Sequence, residues 1–194
     1  MIPILICSIW AAAIIIERFI TLKKSTANTR HLMMKVKGLI LKNDIEEAIA
    51  ECEETPGPTA RVLKEGMLRS ERNKEEIQEA IEAAGKEQVY YLERYLGILA
   101  TIAGVAPLIG FLGTVTGMIE AFMQIERLGG DVNATVLSGG IWEALMTTAF
   151  GLFVGIVVYI FYNVFVNRVK RFIFEMETSS SELVELLVNG RGAA

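Results

Sequence analysis

The sequence predicts an all-α membrane protein, in which three transmembrane helices carry long cytoplasmic helical extensions. Three observations point there. Of the 42 charged residues in the 194-residue chain, 29 (14 basic, 15 acidic) fall between Glu17 and Arg94. Residues 95–119 and 144–167 carry no charge at all, over 25 and 24 positions. No apolar–polar alternation of period two stands out between residues 25 and 94, so the polar part reads as helices. The apolar share is 52% and the mean hydropathy +0.41, which excludes a disordered tail, a collagen-like fibre or a polar repeat protein.

The first segment, residues 1–22, is the shortest candidate. Its uncharged run ends at Ile16, and at about 1.5 Å per residue covers roughly 24 Å, short of a hydrocarbon core of roughly 30 Å. Phe19, Ile20 and Leu22 extend it, with Arg18 expected to snorkel to the headgroups. A signal peptide is the rival reading, since Ala11-Ala12-Ala13 contains an A-x-A. However, no basic stretch precedes the run, and Ile14-Ile15-Ile16 stays apolar beyond the alanines.

Residues 23–94 form a cytoplasmic helical insert. Leu32, Val36, Leu39 and Ile40 share one helical face, and Ile45, Ala48, Ile49 and Cys52 another. Asp44 with Glu47, and Asn73 with Glu76, have the N-cap-to-N3 spacing of a capping box. Thr55-Pro56-Gly57-Pro58 is a chain break. From Lys74 onward nothing interrupts the helical pattern strongly, Gly85 costing only about 1 kcal/mol, so this helix is expected to run unbroken into the second membrane segment, residues 95–122. A loop at 123–138 leads to the third, residues 139–167. An apolar stripe of Val169, Phe172, Met176, Leu183 and Leu187 continues through the C-terminal part, residues 168–194. Such a stripe below the membrane needs a partner helix, which suits a multi-subunit assembly.

Lys and Arg near the helix ends set orientation. Arg18, Lys23, Lys24, Arg30, Lys86, Arg94, Arg168, Lys170 and Arg171 flank one side, and the 123–138 loop has only Arg127. The N-terminus and that loop are therefore expected outside, the insert and the C-terminus inside. The net charge of −4 and unmassed basic residues imply no nucleic-acid partner. Cys7 and Cys52 fall in different environments and are read as reduced packing residues.

Two faces of small residues stand out. Ala103, Ala106, Gly110, Gly113, Thr114, Gly117 and Ala121 lie on one stripe of the second segment. Gly140, Ala144, Thr147, Thr148, Gly151 and Gly155 lie on one of the third, with Glu143 at its edge. Close helix packing explains such faces, and so does a pore-lining surface with Thr114 as its hydroxyl. Threonines can also bond back to their own helix. An intramembrane carboxylate costs about 2.5–3.5 kcal/mol and defaults to function. If the helix begins near Leu137, Glu143 lies two turns in; if near Ala144, it is an interfacial acid at a helix start. Neither uncharged run contains an Asp, Glu, His, Lys or Arg to relay protons at the bilayer centre. Hydroxyls and water would have to serve, or another polypeptide supply a carboxylate. With one histidine (His31), no metal-ligand cluster, no phosphate loop and no nucleophile–base pair, neither enzyme chemistry nor a cofactor is expected. Asn133-Ala134-Thr135 matches a glycosylation sequon, a pattern too short to carry weight.

Residues 107–118 (PLIGFLGTVTGM) and 140–152 (GIWEALMTTAFGL) resemble the MotA/TolQ/ExbB proton channel family, the ExbB/TolQ branch more closely. The likeness extends to Glu17-Arg18 and to the stretch from Pro56-Gly57-Pro58 to Arg61-Val62-Leu63. The resemblance implies a ring, typically a homopentamer, in the bacterial inner membrane, with second and third helices lining a pore. Inside would sit the single transmembrane helices of an ExbD- or TolR-like partner, each with an aspartate. Proton flow would turn or reorient that partner and pass motion to TonB or TolA, energising outer-membrane transport or, in a TolQ role, envelope integrity and cell division. By motif match, Thr114 and Thr148 would be the pore hydroxyls, Glu143 the third-helix acid and Thr147 its neighbour. Ala103, Ala106, Gly110, Gly113, Gly117, Ala144, Gly151 and Gly155 would be pore-facing small residues. A non-conducting scaffold ring is the rival from another class. The three-segment layout differs from the four-helix flagellar arrangement.

Overall fold

The computed structural model describes residues 1–26, 28–127 and 134–190. Of the expected outside loop, 123–138, residues 128–133, with Asn133 of the sequon, lie outside the described residues, and 123–127 and 134–138 are helical, in α6 and α7. Among the described residues there are seven helices: α1 (Ile2–Lys24), α2 (Thr29–Leu41), α3 (Ile45–Glu54), α4 (Pro58–Met67), α5 (Lys74–Glu93), α6 (Leu96–Arg127) and α7 (Ala134–Gly190). No strand occurs among the described residues. α1, α6 and α7 each carry a window long and apolar enough to cross a membrane.

The chain divides into two compact units, Met1–Glu17 with Tyr95–Val164, and Arg18–Arg94 with Phe165–Ala194. The divisions fall where the charges resume in the sequence. The first unit holds the apolar parts of α1, α6 and α7, and it exposes large hydrophobic side chains such as Ile9, Trp10, Leu108, Phe111, Phe153 and Ile156. A water-soluble surface does not present so many; a lipid-facing one does. This is a membrane protein.

The second unit has a core of its own. α4 is its centre, with Pro58, Thr59, Ala60, Val62, Leu63, Gly66 and Met67 buried. Gly66 is where it is crossed, since a Cβ there would lie 2.8 Å from Ile81 Cδ1 and 3.1 Å from Leu183 Cδ2. The sequence dictates the helix boundaries. The Asp44 carboxylate accepts from Glu47 N at 3.2 Å, and Asn73 Oδ1 from Glu76 N at 2.8 Å. Gly57, at φ 130°, makes a turn that L side chains resist, and Pro58 opens α4 with its φ preset. Cys52 is buried, and desolvation, followed by the adjacent Glu51 charge, pushes its thiol up to about 12. Lys64 Nζ sits 2.7 Å from Glu53 Oε1, which raises its pKa through that hydrogen bond and the carboxylate's charge.

Two expectations are corrected. The helix from Lys74 does not run unbroken into the membrane: it stops at Glu93. Arg94 is extended (φ −50°, ψ 134°), Tyr95 adopts φ 65°, and α6 starts afresh with Leu99 N bonded to Tyr95 O. Arg18 does not snorkel. It continues the stripe of Ile4, Ala11 and Ile14 that α1 buries, and is 0% exposed. Its Nη1 donates to Tyr91 O at 3.2 Å and, more weakly, to Leu92 O at 3.5 Å. These are last-turn carbonyls of α5, where no further turn exists to bond them and the helix dipole favours a cation. A guanidinium that caps a broken helix explains both departures.

Candidate functional site: the α6–α7 seam

The two small-residue stripes meet each other. A Cβ on Gly110 would lie 2.9 Å from Thr147 O and 3.1 Å from Thr148 Cα, and one on Gly117 2.9 Å from Ala144 Cβ. On α7, a Cβ on Gly151 would lie 2.6 Å from Ala106 O and 2.9 Å from Gly110 Cα, and one on Gly155 2.5 Å from Pro107 Cγ. Ala103, Ala106, Ala144, Gly151 and Gly155 are buried. Glycine is needed at 110 and 151 because backbone, not side chain, occupies the space there. Within a single chain these residues bring two helix backbones together, as small-xxx-small faces do.

The close approach places hydroxyls across the seam. Thr148 Oγ1 donates to Gly110 O on α6 at 2.9 Å and lies in hydrogen-bond contact with Thr114 Oγ1. Thr114 Oγ1 also has Gly110 O at 3.3 Å and Ala144 O at 3.4 Å. Each hydroxyl has one proton. Either Thr148 donates to Gly110 and receives from Thr114, or Thr114 donates to a carbonyl and Thr148 donates to it. The shorter Thr148–Gly110 distance favours the first, and the second lies one concerted rotation away. The pair is half-buried, so its edge is reachable from outside the seam.

Thr147 behaves differently. It is 8% exposed and donates to Ala144 O of its own helix at 2.6 Å. Its Oγ1 fills the space over Gly113, where a Cβ would come within 2.6 Å. Glu143 is exposed on the tenth residue of α7, one turn before Thr147. It lies about 14 Å along the helix from Ala134, so it is no first-turn acid favoured by the helix dipole. Pro107 is a participant that the residue patterns gave no role. Its missing N–H leaves Ala103 O without its usual helical donor, and Gly155 lets α7 pass directly over that point. A proline facing a glycine across two apolar runs is the signal that could have revealed it. Among the described residues no cluster of three or more His, Cys, Asp or Glu could hold a metal ion.

Residues 54–178, which contain the whole seam, match the MotA/TolQ/ExbB proton channel family. The chain belongs to that family. Among its relatives, the protein named ExbB-like 3 of Synechocystis sp. is 32% identical over 188 residues, 94% of this chain and 89% of that one. An ExbB homolog of Methanothermobacter thermautotrophicus is 29% identical over 86% of this chain and 57% of its own length. The biopolymer transport protein ExbB of Pseudomonas putida is 32% identical over 64% of this chain, and the chain spans only 36% of that protein.

Proposed function

We propose that this chain is the proton-channel subunit of an inner-membrane motor that uses the proton motive force, with an ExbD- or TolR-like partner, to energise TonB-dependent outer-membrane transport. The observation that carries the reading is the Thr114–Thr148 hydroxyl pair joining α6 to α7, within runs that hold no Asp, Glu, His, Lys or Arg. Copies would form a ring, as a homopentamer, around the partner's transmembrane helices, and a partner aspartate would supply the carboxylate this chain lacks. In that ring the glycines set the thickness of the wall, the hydroxyls present its polar surface, and Glu143 stands toward the outer end. The N-terminus and the segment that joins α6 to α7 would face the periplasm, and residues 23–94 and 168–194 the cytoplasm.

The hydroxyl pair takes a proton at one oxygen and releases one at the other as the two threonines exchange donor roles, so no charge need rest in the wall. Each proton crossing supplies about 2.3 kcal/mol per 100 mV. The test is proton flux into vesicles holding this chain and its partner. Thr114→Val with Thr148→Val should abolish partner-dependent flux, as should replacing the partner's aspartate by Asn, at unchanged protein levels. Undiminished flux in the double valine variant sinks the reading, and absence of flux with every partner leaves the scaffold ring in its place.

A further inference from the structure

The cytoplasmic unit has a groove of about 880 Å³ between α5 and the distal part of α7. Its floor is apolar, formed by Ile81, Val89, Ile173, Met176 and Val184. Its rim is acidic in effect. Lys86 is paired with Glu82 at 3.7 Å, which leaves Glu93, Glu177 and Glu185 against Lys74 alone. Tyr90, 81% exposed, stands at the same rim. Among the described residues, Val62 of α4 is the one contribution to the lining from outside these two helices.

The complement of this groove lies elsewhere on the same unit. α2 buries Leu32, Met33 and Val36 and turns outward a face with Met34 at 60% and Leu41 at 69% exposure. Arg30, His31 and Lys42 surround that face, the helix contains no acidic residue, and Gly38 between the two apolar side chains has nothing within 4 Å. A basic, apolar-ridged helix of 13 residues, about 18 Å long, fits along a groove whose α5 wall runs from Lys74 to Glu93.

We propose that α2 of one copy seats in the α5–α7 groove of the next. The inference rests on the ring reading and names the surfaces that close it. Groove and ridge are different surfaces of one chain, so the contact is heterologous, the kind that propagates around a ring until the rotation closes it. Exposed Met and Tyr supply the apolar contact typical of interface centres, and the charges select register and partner.

Cysteine cross-linking of the full chain in its membrane tests this, in a Cys7→Ser, Cys52→Ala background. Met34→Cys and Tyr90→Cys alter exposed side chains, so folding is preserved; helix content by circular dichroism verifies that. Copies bearing one each, co-expressed, should form an intermolecular disulfide, and the double variant a ladder ending at the ring size. Glu177→Lys with Glu185→Lys should lower the yield about tenfold, and Arg30→Glu with Lys42→Glu in the same chain should restore it. The mass of the solubilised assembly is measured in parallel. A ring without the ladder overturns the proposal and leaves the ring reading standing, whether the Tyr90→Cys thiol is open to maleimide or covered by some other partner. A folded monomer overturns both.

Discussion

Gly151→Ala is the substitution that weighs most on the seam. The added methyl group would lie 2.6 Å from Ala106 O and 2.9 Å from Gly110 Cα. Both are backbone atoms inside α6, so no rotamer change relieves the clash and the helices must separate. Overpacking of this kind costs about 1–3 kcal/mol, and rigid neighbours argue for the upper half of that range. Alanine returns up to about 1 kcal/mol of helix propensity. The net expectation is a loss of about 1–2 kcal/mol. Gly104→Ala is the matched control, since nothing lies within 4 Å of a Cβ there, and it should gain up to about 1 kcal/mol. Unfolding in mixed micelles by titration with SDS, followed by circular dichroism, reads the gap between them, about 2–3 kcal/mol. Separation would also lengthen the Thr148–Gly110 bond, so partner-dependent proton flux should fall in Gly151→Ala and hold in Gly104→Ala. Equal stability of the two variants would refute the account of the seam as backbone-on-backbone packing.

Gly66→Ala meets its neighbours at similar distances, but they are the ends of Ile81 and Leu183, which can rotate; its cost should stay below that of Gly151→Ala in the same titration. Arg18→Met leaves the Tyr91 and Leu92 carbonyls without their cap and should destabilise the cytoplasmic unit by about 1–3 kcal/mol, seen as faster amide exchange at the end of α5; unchanged exchange there refutes the capping role. The Cys52 thiol, moved from 9.0 to about 12, should in a Cys7→Ser background react with iodoacetamide at pH 8 about a thousandfold more slowly than in the SDS-unfolded chain, in proportion to its thiolate. A pKa raised by folding means the folded state holds that proton more tightly. This contribution to stability is therefore complete below pH 9 and declines as pH rises toward 12, and an alkaline melting series checks it.

The helices were legible because their signals are local. Asp44 and Asn73 cap where their side chains can reach an amide three residues on, and the Pro-Gly-Pro break needs nothing beyond its own backbone. The membrane spans were legible because charge is excluded from lipid whatever the fold. The break at Arg94 and Tyr95 was not. Neither residue is a helix breaker, and the interaction that tolerates the break comes from Arg18, more than seventy positions away. The same distance hid the burial of Arg18, because a charge at the end of an apolar run looks identical whether it meets headgroups or another helix's carbonyls. In the seam, the two stripes could be drawn from spacing alone, but spacing left open whether they face a lumen or one another. Within one chain the close approach is that of Gly110 to Gly151, which spacing along either helix cannot show.

That approach also bears on why the wall of the proposed channel is neutral. A carboxylate fixed at mid-bilayer costs about 2.5–3.5 kcal/mol, and a ring would incur it in every copy. Threonines that satisfy each other and Gly110 O would incur almost none, and would keep every station around such a ring alike. A single acid on a central partner would then meet the same pair of oxygens at each step, with no reason to rest at one. Thr147 cannot serve in this way, because its proton is committed to Ala144 O and its oxygen is buried over Gly113. Serine at positions 114 and 148 should therefore preserve flux where valine abolishes it, while Thr147→Val should leave flux nearly intact. The reverse ranking would move the proton path to the other side of α7.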